Sequence, residues 1–267
     1  MRVAAHQPGY HRHLYYFYKM AISDVFVSLD HVQFVRSDWQ NRQVFVYEDA
    51  RRWLTVPVQG SRGVIRSKVI ADPSVLPSHW DRIKSIYRST PYFSTYEAAL
   101  GEIYGASWKY LNDLCDALTE VARSGFGITT PYLRASDLVE DPKTAKGEML
   151  ADVALRAASA MLPPGREPVV TYLACLNPVR QDHYLRKPSR ENPAFMEHEV
   201  MENRGVRVRA FDYLHPSYEQ TQHAQGRPFQ AELTAYDLLF NHGPKARDIL
   251  LGANPEERPK LYRIGGK

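Results

Sequence analysis

Three histidines, His6, His11 and His13, fall in one short run, His6-Gln7-Pro8-Gly9-Tyr10-His11-Arg12-His13. Imidazoles gathered this way suit two chemistries, ligation of zinc or iron and the holding of a phosphate or carboxylate. The sequence has no HxxxH helix and no supporting cysteine pair, and Asp30 is the nearest obvious carboxylate. Anion binding is therefore favoured over metal, and no metal is expected. Histidines that only hydrogen-bond their own loop are the bland alternative. Further along stand Asp30, His31 and Gln33, then Trp39, Asn41 and Arg42. Arg12, Arg36 or Arg42 would add two-point contacts to an anion. An Asn-Arg pair beside Trp is costly to bury without partners, so Arg42 either recognises a ligand or pairs with Asp30 or Asp38. Cys175, with His183 or His6 as base, has the residue types of a nucleophile site. An apolar strand precedes it and no flanking basic residue lowers its pKa, so it reads as core. Asp237 lies at the edge of a helical face made by Leu233, Tyr236, Leu239 and Phe240, within reach of Asn241 or a basic partner. A charge in such a position usually sits on the solvated face.

The elements that must position these groups follow from breakers and periodicity. Val3-Ala4-Ala5 is a short apolar strand, and Pro8-Gly9 ends it in a tight turn. From His13 to Ala21 no breaker occurs, and Leu14, Phe17, Tyr18 and Ala21 share a helical face. Val25 to Leu29 reads as a buried parallel strand that ends on Asp30. A strand, a helix and a parallel strand place the first loop and the Asp30–Gln33 end on one carboxyl edge, where open α/β sheets bind ligands. His6, Gln7, His11, His13, Asp30, His31 and Gln33 are expected to converge there.

Two strand-like runs, Val44 to Tyr47 and Trp53 to Val58, form a hairpin, and residues 59 to 78 form a surface loop with a basic edge, suited to a lid. Ser78 reads as the N-cap of a helix that Pro91 stops, and Tyr92 to Ser124 continues helical until Gly125. Residues 78–125 are thus a mainly helical insertion within one α/β domain spanning 1–267. Strands are expected near 2 to 5, 25 to 29, 127 to 133, 169 to 174 and 206 to 211. Helices are expected from about Thr144 to Met161, in the second half of His183 to Glu202, from Leu233 to Phe240 and from Lys245 to Leu251, before a basic tail. The fold class is α/β, a parallel-rich sheet with flanking helices.

The 267 residues are 44% hydrophobic and 12% aromatic, enough for a sizeable core. A net charge of +4 without a Lys/Arg stripe argues against nucleic acid as a partner and suits an anionic metabolite. No apolar run approaches membrane-spanning length and no signal peptide is visible, so a cytoplasmic protein is expected, with no membrane partner. Two cysteines give no disulfide framework.

Gln7-Pro8 before an aromatic segment, Asp24-x-Phe26-Val27, Asp30-x-Val32-Gln33-Phe34, Trp39-x-Asn41-Arg42 and Trp53-Leu54-Thr55-Val56-Pro57 resemble the WbqC-like family, as do Tyr87 to Phe93, Asn177-Pro178 and Leu233 to Pro244. Val179-Arg180 stands where that family usually has Gly-Gly. The resemblance implies a bacterial protein associated with O-antigen, other polysaccharide or specialised-metabolite pathways. A second similarity is to nucleotidylyltransferases with an HxGH loop. His13-Leu14-Tyr15-Tyr16 occupies its place, with Tyr15 for the glycine and Tyr16 for the second histidine. Lys143-Thr144-Ala145-Lys146-Gly147 resembles the Lys-x-x-Lys loop of their relatives, at a helix start suited to phosphate. This second similarity implies a nucleotide cofactor, ATP or similar, with Mg.

The expectation is a biosynthetic enzyme, a transferase or ligase, moving an acyl, aminoacyl or nucleotidyl group onto a small metabolite or nucleotide-activated sugar. The competing class is a non-catalytic sugar- or nucleotide-binding accessory protein. His6, His13 and Asp30 are the expected catalytic residues. Gln7, His11, Tyr16, Gln33, Trp39, Asn41, Arg42, Lys143, Lys146, Asp237 and Asn241 are the expected substrate contacts. The expected partner is a small-molecule substrate, with a homodimer as the assembly to consider.

Overall fold

A computed structural model describes residues 1–36, 38–48, 50–140, 146–176, 196–223, 226–252 and 261–263. Strand β1 (Arg2–His6) runs through the Pro8-Gly9 loop into α1 (Leu14–Ala21) and then β2 (Val25–Ser28). β1 and β2 are parallel neighbours, in register from Val3↔Val25 to His6↔Ser28, as the strand-helix-strand reading requires. Next come a hairpin of β3 (Arg42–Tyr47) and β4 (Ala50–Thr55), and the helices α2 (Val75–Tyr87), α3 (Phe93–Gly105) and α4 (Leu111–Gly125). The chain then returns to the sheet with β5 (Tyr132–Arg134), α5 (Lys146–Ala160), β6 (Val170–Leu176), α6 (Met196–Asn203) and β7 (Val206–Asp212). α7 (Ala235–His242), α8 (Ala246–Leu251) and β8 (Leu261–Arg263) complete it.

The main sheet has the order β5-β2-β1-β6-β7-β8. All neighbours are parallel except β8, which runs against β7 at the edge. The fold is α/β with a parallel-rich sheet. From β1 the chain builds outward through β2 and β5 on one side, then crosses to β6 and β7 on the other. That reversal makes the carboxyl ends of β1 and β6 the switch point of the sheet, the place where such folds open a crevice.

Alternation along the strands assigns each face its own core. Val3, Ala5, Val25, Val27, Val170 and Val206 pack under α5 and α6, against Met149, Ala154, Ala157 and Met201. The small residues of α5 let its backbone lie close to the sheet. Ala4, Phe26, Leu173 and Phe211 face the opposite way, into a core shared with Leu14 and Phe17 of α1, Leu114 and Leu118 of α4, and Leu239 and Phe240 of α7. Each such side chain contributes about 1.5–3 kcal/mol on full burial. The helical stretch 78–125 therefore shares its core with the sheet.

Several boundaries differ from the sequence reading. α2 starts at Val75 with Ser74 at its N-cap. Ser78 lies inside the helix, its hydroxyl donating to Val75 O at 2.8 Å, and Pro77 fits because a first-turn N–H has no helical partner anyway. β5 begins five residues later than expected from the run starting at Gly127, because Ile128 turns into the core and leaves Tyr132–Arg134 to pair with β2. β8 falls in what reads as a basic tail. α7 continues through Asn241 and His242 and is ended by Gly243, whose φ of 47° suits glycine, and a Cβ there would meet the Tyr92 ring at 2.4 Å.

Candidate functional site

His6 is the last residue of β1, at the switch point, and it is only partly buried. Its Nδ1 lies 3.1 Å from Gln7 O. Nδ1 also lies 3.4 Å from a guanidinium nitrogen of Arg12. A carbonyl oxygen only accepts and a guanidinium only donates, so we assign the proton to Nδ1 on the shorter of the two contacts, which leaves Nε2 a lone pair. The Tyr15 hydroxyl, 3.3 Å from Nε2, sits where it can donate to that lone pair. Burial, with the charges of Arg12 and Lys19 close by, pushes the His6 pKa well below its usual value. His6 is therefore a neutral imidazole at pH 7, oriented by a backbone carbonyl and faced by a hydroxyl.

The loop that follows is held from three sides. Arg12 is buried and caps the turn, donating to Gln7 O and, at 3.0 Å, to Pro8 O. Gln40 donates to the Gln7 side chain at 2.9 Å, and Tyr10 N donates to Gln40 O at 3.0 Å. Ala235 N donates to Arg12 O at 2.9 Å, with a bridge between His13 and Thr234. Gly9 is required by this closeness, since a Cβ would meet Trp39 O at 2.5 Å and the Arg12 guanidinium at 2.7 Å. His11 adopts a left-handed φ of 50°, uncommon for a side-chain-bearing residue, at the centre of the clamp.

On the far side of His6, Tyr16 packs edge-on with ring centres 5.6 Å apart. Its hydroxyl reaches Tyr132 at 3.4 Å, and Tyr132 donates to Asp116 at 2.8 Å. Arg134, at the end of β5, donates to Asp116 at 2.7 Å and to Asp113 at 2.9 Å. Burial raises the Asp116 pKa, and the Tyr132 and Arg134 contacts pull it back. A polar path thus runs along the carboxyl edge from β1 to β5.

A family model described as the WbqC-like protein family matches residues 7–249. The chain belongs to the WbqC-like protein family. It is also 27% identical over 254 residues to an "Uncharacterized protein Rv1507c" of Mycobacterium tuberculosis, covering 93% of this chain and 97% of that relative. No solved structure matches it.

Within this WbqC-like chain the expected site residues divide into groups. His6, Gln7 and Tyr16 lie together at the carboxyl edge, as described. His11 is not open to a ligand: it is 2% exposed, with Nε2 2.5 Å from the Tyr104 hydroxyl and Nδ1 3.4 Å from Thr234 Oγ1. His13 sits between Tyr15 and Trp39, 4.1 Å from the latter's ring centre, with Nδ1 3.3 Å from Leu233 O. Burial lowers the pKa of each to about 3. Asp30 is buried and accepts from Ser136 N at 3.0 Å and Ser136 Oγ at 2.6 Å, a tie between β2 and the turn after β5. Gln33 is exposed and donates to Phe34 O at 3.3 Å.

Asn41 and Arg42 line a separate groove of about 460 Å³ with Arg36, Phe34, Thr55 and Ser61, and neither His6 nor Asp30 lines it. This groove does not bring Asn41 together with His6 and Asp30, which were expected to share one pocket with it. Asn41 belongs to the hairpin, where its side chain donates to Val56 O at 2.8 Å. Arg42 stacks its guanidinium 4.1 Å over the Trp53 ring. Trp39 packs on the same tryptophan at 4.8 Å.

Asp237 and Asn241 lie on the buried side of α7. Asp237 is fully buried and accepts from Tyr218 at 2.9 Å, Gln220 at 2.8 Å and Gln222 at 2.5 Å. Asn241 accepts from Thr221 N and Oγ1 at 2.8 Å. Both anchor the 218–222 segment onto the helix. Lys146 is exposed at the start of α5, while Lys143, His183 and residues 177–180 lie outside the described residues, as does the side chain of Cys175. Among the described residues no three His, Cys, Asp or Glu side chains gather to hold a metal, so the three N-terminal histidines do not form a ligand set. Among them, too, no helix is long and apolar enough to cross a membrane.

The sequence reading did not find Asp113, Asp116, Tyr132 and Arg134. Asp113 and Asp116 are three residues apart on α4, beside the apolar stripe, and that spacing is the signal that could have marked them.

Proposed function

We propose that this protein is a biosynthetic enzyme that transfers an acyl, aminoacyl or nucleotidyl group to a small metabolite or nucleotide-activated sugar, with His6 as its general base. One observation carries the reading: a partly exposed imidazole, its pKa lowered by burial and its Nδ1 set against Gln7 O, at the end of the first parallel strand where the sheet reverses. In the transfer, Nε2 takes a proton from the acceptor's hydroxyl or amine as that atom's electron pair attacks the donor's carbonyl carbon or phosphorus. The bond to the leaving group breaks with its pair, and the His6 imidazolium returns the proton to it. Tyr15 would swing from Nε2 as the acceptor enters. Burial and then the Arg12 charge keep the resting imidazole neutral, and Arg12 also fixes the loop.

A second reading, a non-catalytic sugar- or nucleotide-binding accessory protein, is favoured by the groove beside Asn41, where Arg36 and Arg42 meet apolar Phe34 and Pro57 without an evident base. Turnover separates the two. Purified wild type and His6→Ala are incubated with acyl-coenzyme A and nucleoside-diphosphate-sugar donors and small acceptors, and products are followed by mass spectrometry. The enzyme reading expects turnover in wild type that falls by about 10²–10⁴-fold in His6→Ala, with ligand affinity retained. Turnover unchanged in the variant removes His6 from the reaction. Ligand binding without turnover in wild type supports the accessory reading.

A further inference from the structure

Away from His6, a cleft of about 520 Å³ opens between β4 and α2. β4 supplies Arg51, Arg52 and Trp53, and α2 supplies Ser78, His79 and Arg82. The helical residues are one, three and four positions apart, so they stand on one face of α2 toward the hairpin. No carboxylate is among the residues that line the cleft. Arg52 pairs with Phe45 and so faces α2, whereas Arg51 pairs with Val46 and turns to the opposite side of the hairpin. Two guanidinium groups, Arg52 and Arg82, therefore face the cleft on a chain whose net charge is only +4.

The cationic groups are held rather than loose. Arg82 lies 4.5 Å over the Tyr47 ring, on the same face of the hairpin as Phe45, while Arg51 donates to Ala231 O at 2.9 Å on the other face. A guanidinium has five N–H donors, so one anchoring contact leaves the rest of the fork for a ligand. The carboxylate near Arg52 is Glu48 at 3.7 Å, with both side chains more than half exposed. Such a surface pair is weak and yields to a doubly charged ligand. His79 is buried with Nδ1 2.9 Å from the Tyr10 hydroxyl, and Tyr10 lies 2.6 Å from Tyr104, which reaches His11. The ring is thereby fixed by a buried hydrogen-bond chain that ends in the loop behind His6.

We propose that this cleft binds a phosphate-bearing small molecule, of the nucleoside diphosphate or pyrophosphate-linked sugar class, with Arg52 and Arg82 clamping the phosphates. Arginine forks match phosphate oxygens in pairs, and the volume is within the range of small-ligand sites. The site is independent of the His6 reading.

Inorganic pyrophosphate is the probe, titrated calorimetrically at low salt into wild type and three variants. Arg82→Gln and Arg52→Gln should each weaken binding about tenfold or more, as loss of charge-assisted contacts does. Arg156→Gln, an exposed charge on α5 against the other face of the sheet, should change it by less than about twofold. Equal unfolding midpoints of the variants establish that they fold. No pyrophosphate binding in wild type overturns the proposal, as does a loss in Arg156→Gln equal to that in the cleft variants. Tighter binding of a single-stranded RNA oligonucleotide, lost in the same cleft variants, would overturn the small-molecule class in favour of a nucleic-acid surface.

Discussion

His11 and His13 couple the stability of the loop to pH, and the sign follows from their burial. Each is held neutral in the fold with a pKa of about 3, whereas an exposed histidine in the unfolded chain titrates near 6.5. Between those values the unfolded chain binds protons that the folded one does not. Stability from these groups is complete above about pH 6.5 and falls as pH drops, by about 1.4 kcal/mol per pH unit per histidine. Asp237, raised by burial, works in the opposite direction near the carboxylate range. Urea midpoints should therefore decline from pH 6.5 to 5. His11→Asn, which tolerates the left-handed backbone, should remove about one proton's worth of that slope. A midpoint flat across this range would contradict buried neutral imidazoles. The residue types of this loop were legible in the sequence, but their roles were not. Polar residues spaced for a binding loop are equally residues spaced to clamp one, and only the burial of His11 against Tyr104 tells the two apart.

At the level of elements, Asp30 joins β2 to the turn that follows β5. Its carboxylate takes two hydrogen bonds from Ser136, at 3.0 and 2.6 Å. Bonds to a charged group contribute about 1.5–3 kcal/mol each, so Asp30→Ala should loosen the short edge strand before the sheet centre. Hydrogen exchange should show protection lost at Tyr132–Arg134 while Val3–Ala5 in β1 stays protected. Equal loss in both would mean that Asp30 supports the whole sheet. Strands β1, β2, β6 and β7 were legible because apolar or alternating runs identify sheet strands. β5 was expected but begins five residues later than read, and β8 was not expected; each has three residues and is defined by pairing partners distant in sequence. The Asp30 end of β2 was placed correctly, yet the partner of Asp30 is more than a hundred residues away and no local pattern announces it.

Over the whole molecule, two parallel halves diverge from β1 and β6, and the carboxyl edge between them carries His6, Tyr15 and Tyr16 with the Tyr132–Asp116–Arg134 path beside them. The α/β class and the parallel β1–β2 pair followed from the sequence. The separation of Asn41 and Arg42 into their own groove did not, because it depends on where the hairpin packs. The account turns on the state of His6, and imidazole ¹⁵N resonances of histidine-labelled protein at pH 7 measure it directly. The account predicts a neutral ring with the proton on Nδ1 and a bare Nε2, whose resonance moves when an acyl-coenzyme A or nucleoside-diphosphate-sugar donor is added with its acceptor. An imidazolium at pH 7, or a proton on Nε2 and a resonance indifferent to every such ligand, would contradict it.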